Sequence, residues 1–235
     1  MKNVELINVL LIFIAFAVYV RSESAKLTVE LLNSGFHREL KYVVVFPDFQ
    51  GISYTFMIKQ KIPASIYVST DQLEDLRRLE KLSYFIEEQR IDIEQSTENS
   101  NAFFIYLFGD TSFLRTIELP VHFRYHAPGN KSFVNVSIDY PALYIETSDE
   151  IKSINATEAE WYTCEDLRHR CKWNQVEYEN YSRRLLNANI PIGNASLRGT
   201  ITFFTILSSW AACVFILFYM RKKNRQLTSK LSKGK

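Results

Sequence analysis

Residues 201–220 (ITFFTILSSWAACVFILFYM) form a run without a single charged side chain. At about 1.5 Å of rise per helical residue, roughly twenty residues cross the ~30 Å hydrocarbon core of a bilayer. Inside hydrocarbon a lone segment satisfies its backbone hydrogen bonds only as a helix, so this run fixes one element and ties the chain to a membrane. Arg221, Lys222, Lys223 and Arg225 follow at once. Basic residues flank the cytoplasmic end of a span, which makes residues 221–235 a short basic cytoplasmic tail and puts everything before residue 201 on the other side.

The N-terminus fits that orientation. Met1 and Lys2 precede an apolar run at 6–20, and Ser22, Ser24 and Ala25 come next, the pattern of a secretory signal peptide over 1–24. An uncleaved N-terminal anchor is the alternative, and it leaves the middle of the chain outside the cytosol as well. Residues 25–200 are then one lumenal domain, large enough to bury a core. A net charge of +2, with the basic tail explained by topology, gives no reason to expect a nucleic-acid partner.

Sequons and cysteines agree with this compartment. Asn130, Asn135, Asn155, Asn180 and Asn194 each open an Asn-x-Ser/Thr triplet without proline. The first four are the expected N-glycosylation sites; Asn194 lies too near the bilayer. Cys164 and Cys171 flank EDLRHR on the lumenal side, where thiols oxidise, and a local disulfide there would restrict the unfolded chain by about 2.5 kcal/mol. Zinc is the rival reading, but two cysteines with His169 do not complete a four-ligand site. Cys213 lies inside the span as a small apolar filler.

Between the two ends the chain reads as mainly β. Residues 27–32, 42–46, 54–58, 66–68, 103–108, 121–125, 133–138 and 143–146 are rich in β-branched and aromatic side chains, with breaks at Gly35, Pro47, Gly51, Pro63, Gly109, Pro128, Gly129 and Pro141. Short strands so closely spaced predict an antiparallel, sandwich-like domain. A single short helix is expected from Ser69, with Gln72 completing a capping box and Leu73, Leu76 and Leu79 on one face up to about Leu82. The polar, acidic stretch 87–101 reads as a mobile surface loop.

Several blocks are similar to the PIG-X family, the phosphatidylinositol-glycan biosynthesis class X proteins. They are SGFHREL at 34–40, IKQKIPASIYV at 58–68 leading into LEDLR at 73–77, LPVHFRYH at 119–126, and the Cys164 to Cys171 segment followed by KWN at 172–174. They occur in the family's order, and the single span near the C-terminus matches too. The resemblance implies a non-catalytic, stabilising accessory subunit in the endoplasmic-reticulum membrane. It would be a single-pass type I protein supporting PIG-M, the catalytic subunit that adds the first mannose to the growing glycosylphosphatidylinositol (GPI) anchor, with no cofactor, metal or substrate of its own.

The residues are compatible with that division of labour. The sequence has no Gly-x-Ser-x-Gly elbow, no phosphate-cradling glycine loop and no His-Glu-x-x-His, and only seven glycines. Asp92 and Glu94 are the nearest approach to a paired acidic motif, and they fall in the loop-like stretch. In a strand, His122, Arg124 and His126 share one face opposite Val121, Phe123 and Tyr125. That polar stripe is either a solvated strand face or the surface that meets the transferase. Within the span, Ser208, Ser209, Ala211 and Ala212 are small enough for close helix approach. A cargo receptor would need a heptad-repeat stem, which residues 177–200 lack, and a signalling receptor would need a motif that the tail of about fifteen residues does not offer.

Overall fold

Alternation decides the first strand: Ala25, Leu27 and Val29 are buried while Lys26 and Glu30 reach solvent. The computed structural model describes residues 25–46, 54–88, 90–110, 115–146, 156–180 and 186–233. The expected signal segment, Pro47, Gly51 and Asn155 lie outside them. The elements run β1 (Ala25–Leu32), β2 (His37–Val45), β3 (Thr55–Ile62), β4 (Ile66–Tyr67), α1 (Thr70–Arg78), β5 (Ser83–Ile86), β6 (Phe103–Asp110), β7 (Arg115–Phe123), β8 (Phe133–Ser137), β9 (Ala142–Glu146), β10 (Ala156–Thr163), β11 (Arg170–Val176), β12 (Tyr178–Asn180), β13 (Asn187–Pro191) and α2 (Arg198–Lys233).

Two larger sheets form, in the orders β12-β1-β2-β7-β4 and β10-β11-β9-β3-β6-β5, and β13 pairs with β8 in a two-stranded sheet. Neighbours in the two larger sheets are antiparallel except β1 and β12, which run parallel. One core draws on both: Leu27, Leu40 and Leu119 from the first meet the cluster that holds Ile58, Leu107 and Leu143 from the second. The domain is therefore the mainly β, antiparallel sandwich that the spacing of the strands predicts.

The second sheet is apolar on both faces. Ile105 and Leu107 point into the shared core, whereas Tyr106 and Phe108 join Met57, Tyr144 and Trp173 in a separate cluster on the outer face. That is why the run FFIYLF at 103–108 shows no alternation. Within it, Gly109 stands opposite Phe56 across the ladder, and a Cβ there would collide with the Phe56 ring.

Proline inside β7 is accommodated by register. The Phe123 N–H donates to Phe36 O on the β2 side, so by alternation the Pro120 nitrogen faces away from β2. On that side β4 pairs only with His122 and Phe123, and no ladder bond is lost at Pro120.

Helix α1 begins as the sequence predicts, with the Ser69 hydroxyl accepting from Gln72 N at 3.4 Å and Leu73 wholly buried. It ends earlier. Lys81 N–H donates to Leu76 O and Glu80 N–H to Arg77 O, with Glu80 in the left-handed region at φ 55°, a Schellman ending that stops the helix at Arg78. The residues from Leu79 to Leu82, expected as the last turn of the helix, lie outside it; Leu82 and Tyr84 face the core at a period of two, and β5 follows from Ser83.

The chain divides into two compact units: Met1–His126 with Asn135–Ile190, and Ala127–Val134 with Pro191–Lys235. In the second unit Gly129 N–H donates to Gly193 O, Ala195 N–H to Gly129 O and Ile192 N–H to Ser132 O, so two short segments are tied side by side. A 3-10 turn at Ala195–Leu197 then leads into α2, which is 36 residues long. Residues Ala195–Gln226 form a helix long and apolar enough to cross a membrane, with none of its apolar window covered by the rest of the chain. The basic stretch after residue 220 continues as helix to Lys233.

A buried polar contact joins the sandwich's two layers. Tyr42 of β2 donates its hydroxyl to Gln60 Oε1 of β3 at 3.0 Å, and Gln60 Nε2 donates to Lys61 O and to Asp139 O, both at 2.9 Å. Both side chains are 0 % exposed, and burial pushes the Tyr42 phenol far above its ordinary range, so it remains a donor. Tyr42→Phe should cost about 1–3 kcal/mol by leaving the Gln60 oxygen unpaired. Chemical denaturation of the detergent-solubilised protein checks this, read as a lower midpoint with an unchanged slope.

Candidate partner-contact site

Strand β7 and the residues after it position the His122, Arg124 and His126 stripe. Odd-numbered Val121 and Phe123 are buried in the core, as alternation requires, but the strand ends at Phe123 and Tyr125 is 75 % exposed. The even-numbered side chains are not a solvated face. Arg124 is only 5 % exposed, and His122 is half-buried.

His122 is held on every side. Its Nε2 lies 3.1 Å from Gln72 Oε1 of α1, its Nδ1 lies 2.6 Å from His37 Nδ1 of β2, and its ring stacks on Tyr67 of β4 at 5.0 Å between centroids. With Gln72 presenting its amide oxygen, Nε2 carries the proton and donates, so Nδ1 accepts from His37 Nδ1–H. The register His37↔His122 creates the pair. Burial, and then the proximity of His37, lowers the His122 pKa below its ordinary value. His37 lies in the SGFHREL block, and only the strand pairing reveals its role.

Arg124 organises the acidic loop from within. Its Nη1 donates to Asp92 O at 2.5 Å and Gln95 O at 2.8 Å, its guanidinium sits 5.0 Å over the Tyr67 ring, and Thr97 N–H donates to Tyr125 O at 3.1 Å. The described part of the stretch expected to be a mobile loop is thus pinned, includes a 3-10 turn at Thr97–Asn99, and packs Ile91 on the core. Arg124 is thus buried with its Nη1 engaged inside the domain, while its Nε meets no hydrogen-bond partner. His126 is partly buried, and its Nε2 meets no hydrogen-bond partner. The side chains of the stripe left near solvent are His122 and His126, beside the exposed Tyr125, which packs on Phe36 at 4.9 Å.

The remaining sequence-derived positions are dispersed. Cys164 and Cys171 form a disulfide across the tip of the β10–β11 hairpin. Asn130, Asn135 and Asn194 are exposed; Asn135 Nδ2 donates to Asn189 Oδ1, and Asn194 Oδ1 accepts from Ser196 N and Oγ. Asn180 ends β12. Asp92 Oδ1 accepts from Glu94 N–H in a local turn, and among the described residues no three acidic, His or Cys side chains converge as a metal site would need. In α2 the hydroxyls of Ser208 and Ser209 donate to the Thr205 carbonyl of their own helix.

A scan against family models matches residues 33–221 to PIG-X / PBN1. The chain belongs to the PIG-X / PBN1 family. It is 29 % identical over 212 residues to a human protein named GPI alpha-1,4-mannosyltransferase I, stabilizing subunit, covering 81 % of this chain and 79 % of that one. Mouse and rat proteins of the same name are 24 % and 25 % identical, each match covering 82 % of this chain and 80 % of the relative. No solved structure matches. The family match leaves out β1, takes in β2 to β13 and ends at Arg221, the first residue after the charge-free run.

Two consequences can be measured. Arg124→Ala should cost about 2–3 kcal/mol, since charge-assisted bonds to two carbonyls are lost; amides across 91–99 should then exchange with deuterium faster while β3 and β6 stay protected. The depressed His122 pKa means that the unfolded state binds the extra proton first as pH falls. Stability is therefore present above about 6.5, the unfolded value, and declines below it. A thermal midpoint followed from pH 7.5 to 5.5 should fall more steeply in the native protein than in His122→Gln.

Proposed function

We propose that this chain is the non-catalytic stabilising subunit of the endoplasmic-reticulum GPI mannosyltransferase I, supporting the catalytic PIG-M subunit as it transfers the first mannose to the anchor precursor. The observation that carries this reading is the family match over residues 33–221, together with relatives that carry the stabilizing-subunit name across about four-fifths of their length. Physical considerations favour the same role. A transferase of this kind handles two lipid-borne substrates at the bilayer, and a β sandwich with, among the described residues, one helix apolar enough to span is an economical scaffold but a poor cradle for lipid chains.

In this reading residues 25–200 face the lumen, residues 201–220 cross the membrane, and the basic tail stays in the cytoplasm, with Asn130, Asn135, Asn155 and Asn180 open to glycosylation. Binding energy is the contribution. A ligand that engages only the folded form of its partner stabilises that form by mass action, so the partner persists while the complex lasts. Helix α2, uncovered by its own chain, and the lumenal domain are the two surfaces from which such binding can come.

Affinity isolation of the tagged full-length protein from mild-detergent extracts of the endoplasmic reticulum checks the reading. The mannosyltransferase should co-purify, and its steady-state level should drop several-fold in cells lacking this chain. A clean isolation without the transferase, in cells whose transferase level is normal without this chain, would overturn it.

A further inference from the structure

The hairpin of β10 and β11 lies at one edge of the six-stranded sheet. Its register sets Trp161 opposite Lys172 and Thr163 opposite Arg170, so these four side chains share one face, and Tyr162, Cys171 and Trp173 share the other. The second face is well covered, with Trp173 buried and Tyr162 and Cys171 packed in the outer aromatic cluster. The first face continues the core side of the sheet. Val176 of β11 lies on it and is buried in the shared core. Four and six residues back, Lys172 and Arg170 are exposed, and across the ladder Trp161 is 60 % exposed. The exposure of these side chains leaves this end of the hairpin open. A core-side face, with an indole in its middle, is left bare.

The tip of the same hairpin is held rigid. Cys164 and Cys171 are bonded, Cys164 N–H donates to His169 O and Leu167 N–H to Cys164 O, and the Asp166 carboxylate accepts from Arg168 N, His169 N and the His169 ring. Those bonds hold Leu167 at φ 59°, a conformation that a branched side chain rarely adopts, with the side chain 37 % exposed. Among the described residues the side chains of Arg168, Arg170 and Lys172 enter no ion pair.

We propose that this hairpin is the lumenal docking element, with Trp161 as the anchor, Leu167 as a second apolar contact at the tip, and Arg168, Arg170 and Lys172 meeting carboxylates. The partner it fits is a protein with an apolar socket rimmed by acidic groups. The proposal rests on the functional reading above, which makes that protein the catalytic subunit. Trp and Arg are the residues that dominate binding energy at protein interfaces, and a contact rigid before binding loses little freedom on docking. A lipid surface is the weaker match: Glu165 and Asp166 stand at the same tip, and a mixed tip suits a shaped, charged socket better than a plane of headgroups. The surface differs from the His122 stripe, whose arginine is used internally.

The test uses full-length protein in endoplasmic-reticulum membranes, with a photo-crosslinking residue introduced as Trp161→p-benzoylphenylalanine and, for comparison, at the exposed Leu79 of α1. Irradiation should yield an adduct containing the catalytic subunit from position 161 and none from 79. In parallel, Trp161→Ala combined with Arg170→Glu should lower recovery of the catalytic subunit about tenfold or more, while Leu79→Ala leaves it unchanged. The disulfide, read by the mobility difference between reduced and non-reduced samples, should persist in every variant. Adducts with lipid alone, or full recovery with the double variant, would overturn the docking assignment and leave the functional reading in place. Failure of the native protein to recover the catalytic subunit would overturn both.

Discussion

The hydroxyl of Tyr42 and the amide of Gln60 meet where the two sheets face one another, and the register of the sandwich depends on that contact. Apolar side chains supply most of the driving force, but they are permissive about alignment: a core of Leu, Ile and Val tolerates sliding. One phenol donor, one amide oxygen and two carbonyls at fixed positions do not, because any other alignment strands a polar group in the interior. The same two strands, β2 and β3, pair with β7 and with β6. These pairings bring His37 to His122 and stand Gly109 under Phe56.

From that frame come two kinds of surface. Where the sheets overlap, side chains that look available in the sequence are drawn inward; Arg124 holds the loop near residues 92–97 rather than reaching outward. At the β10–β11 end, the face that carries Trp161, Arg170 and Lys172 stays open to solvent. Joined to a helix that its own chain leaves uncovered, this is the profile of a chain completed by association. A stabilising subunit needs nothing more than such surfaces, since its effect on a partner is set by differential binding to the folded form.

Much of this was legible beforehand, and the exceptions have physical reasons. The charge-free run at 201–220 and the alternating strands β1, β2 and β9 are local signals, and they read correctly. The helix end at Arg78 did not, because its left-handed residue is Glu80 rather than glycine and carries no stop signal. Strands β10 to β13 went unread because edge and short strands such as ATEAEWYT need only a few apolar side chains. The polar stripe was the least legible. Alternation tells which side chains share a face, but whether that face meets water depends on a loop thirty residues away in sequence, and periodicity holds no information about it. The disulfide needed only compartment and spacing.

The central claim is that this chain contributes binding energy and no chemistry. The most direct measurement is first-mannose transfer in membranes from cells with and without it, each rate divided by the amount of catalytic subunit in the same sample. The account predicts that depletion lowers the amount several-fold while the rate per catalytic subunit stays the same. An unchanged amount with a collapsed rate per subunit would contradict it, since the missing chain would then be part of the catalytic machinery.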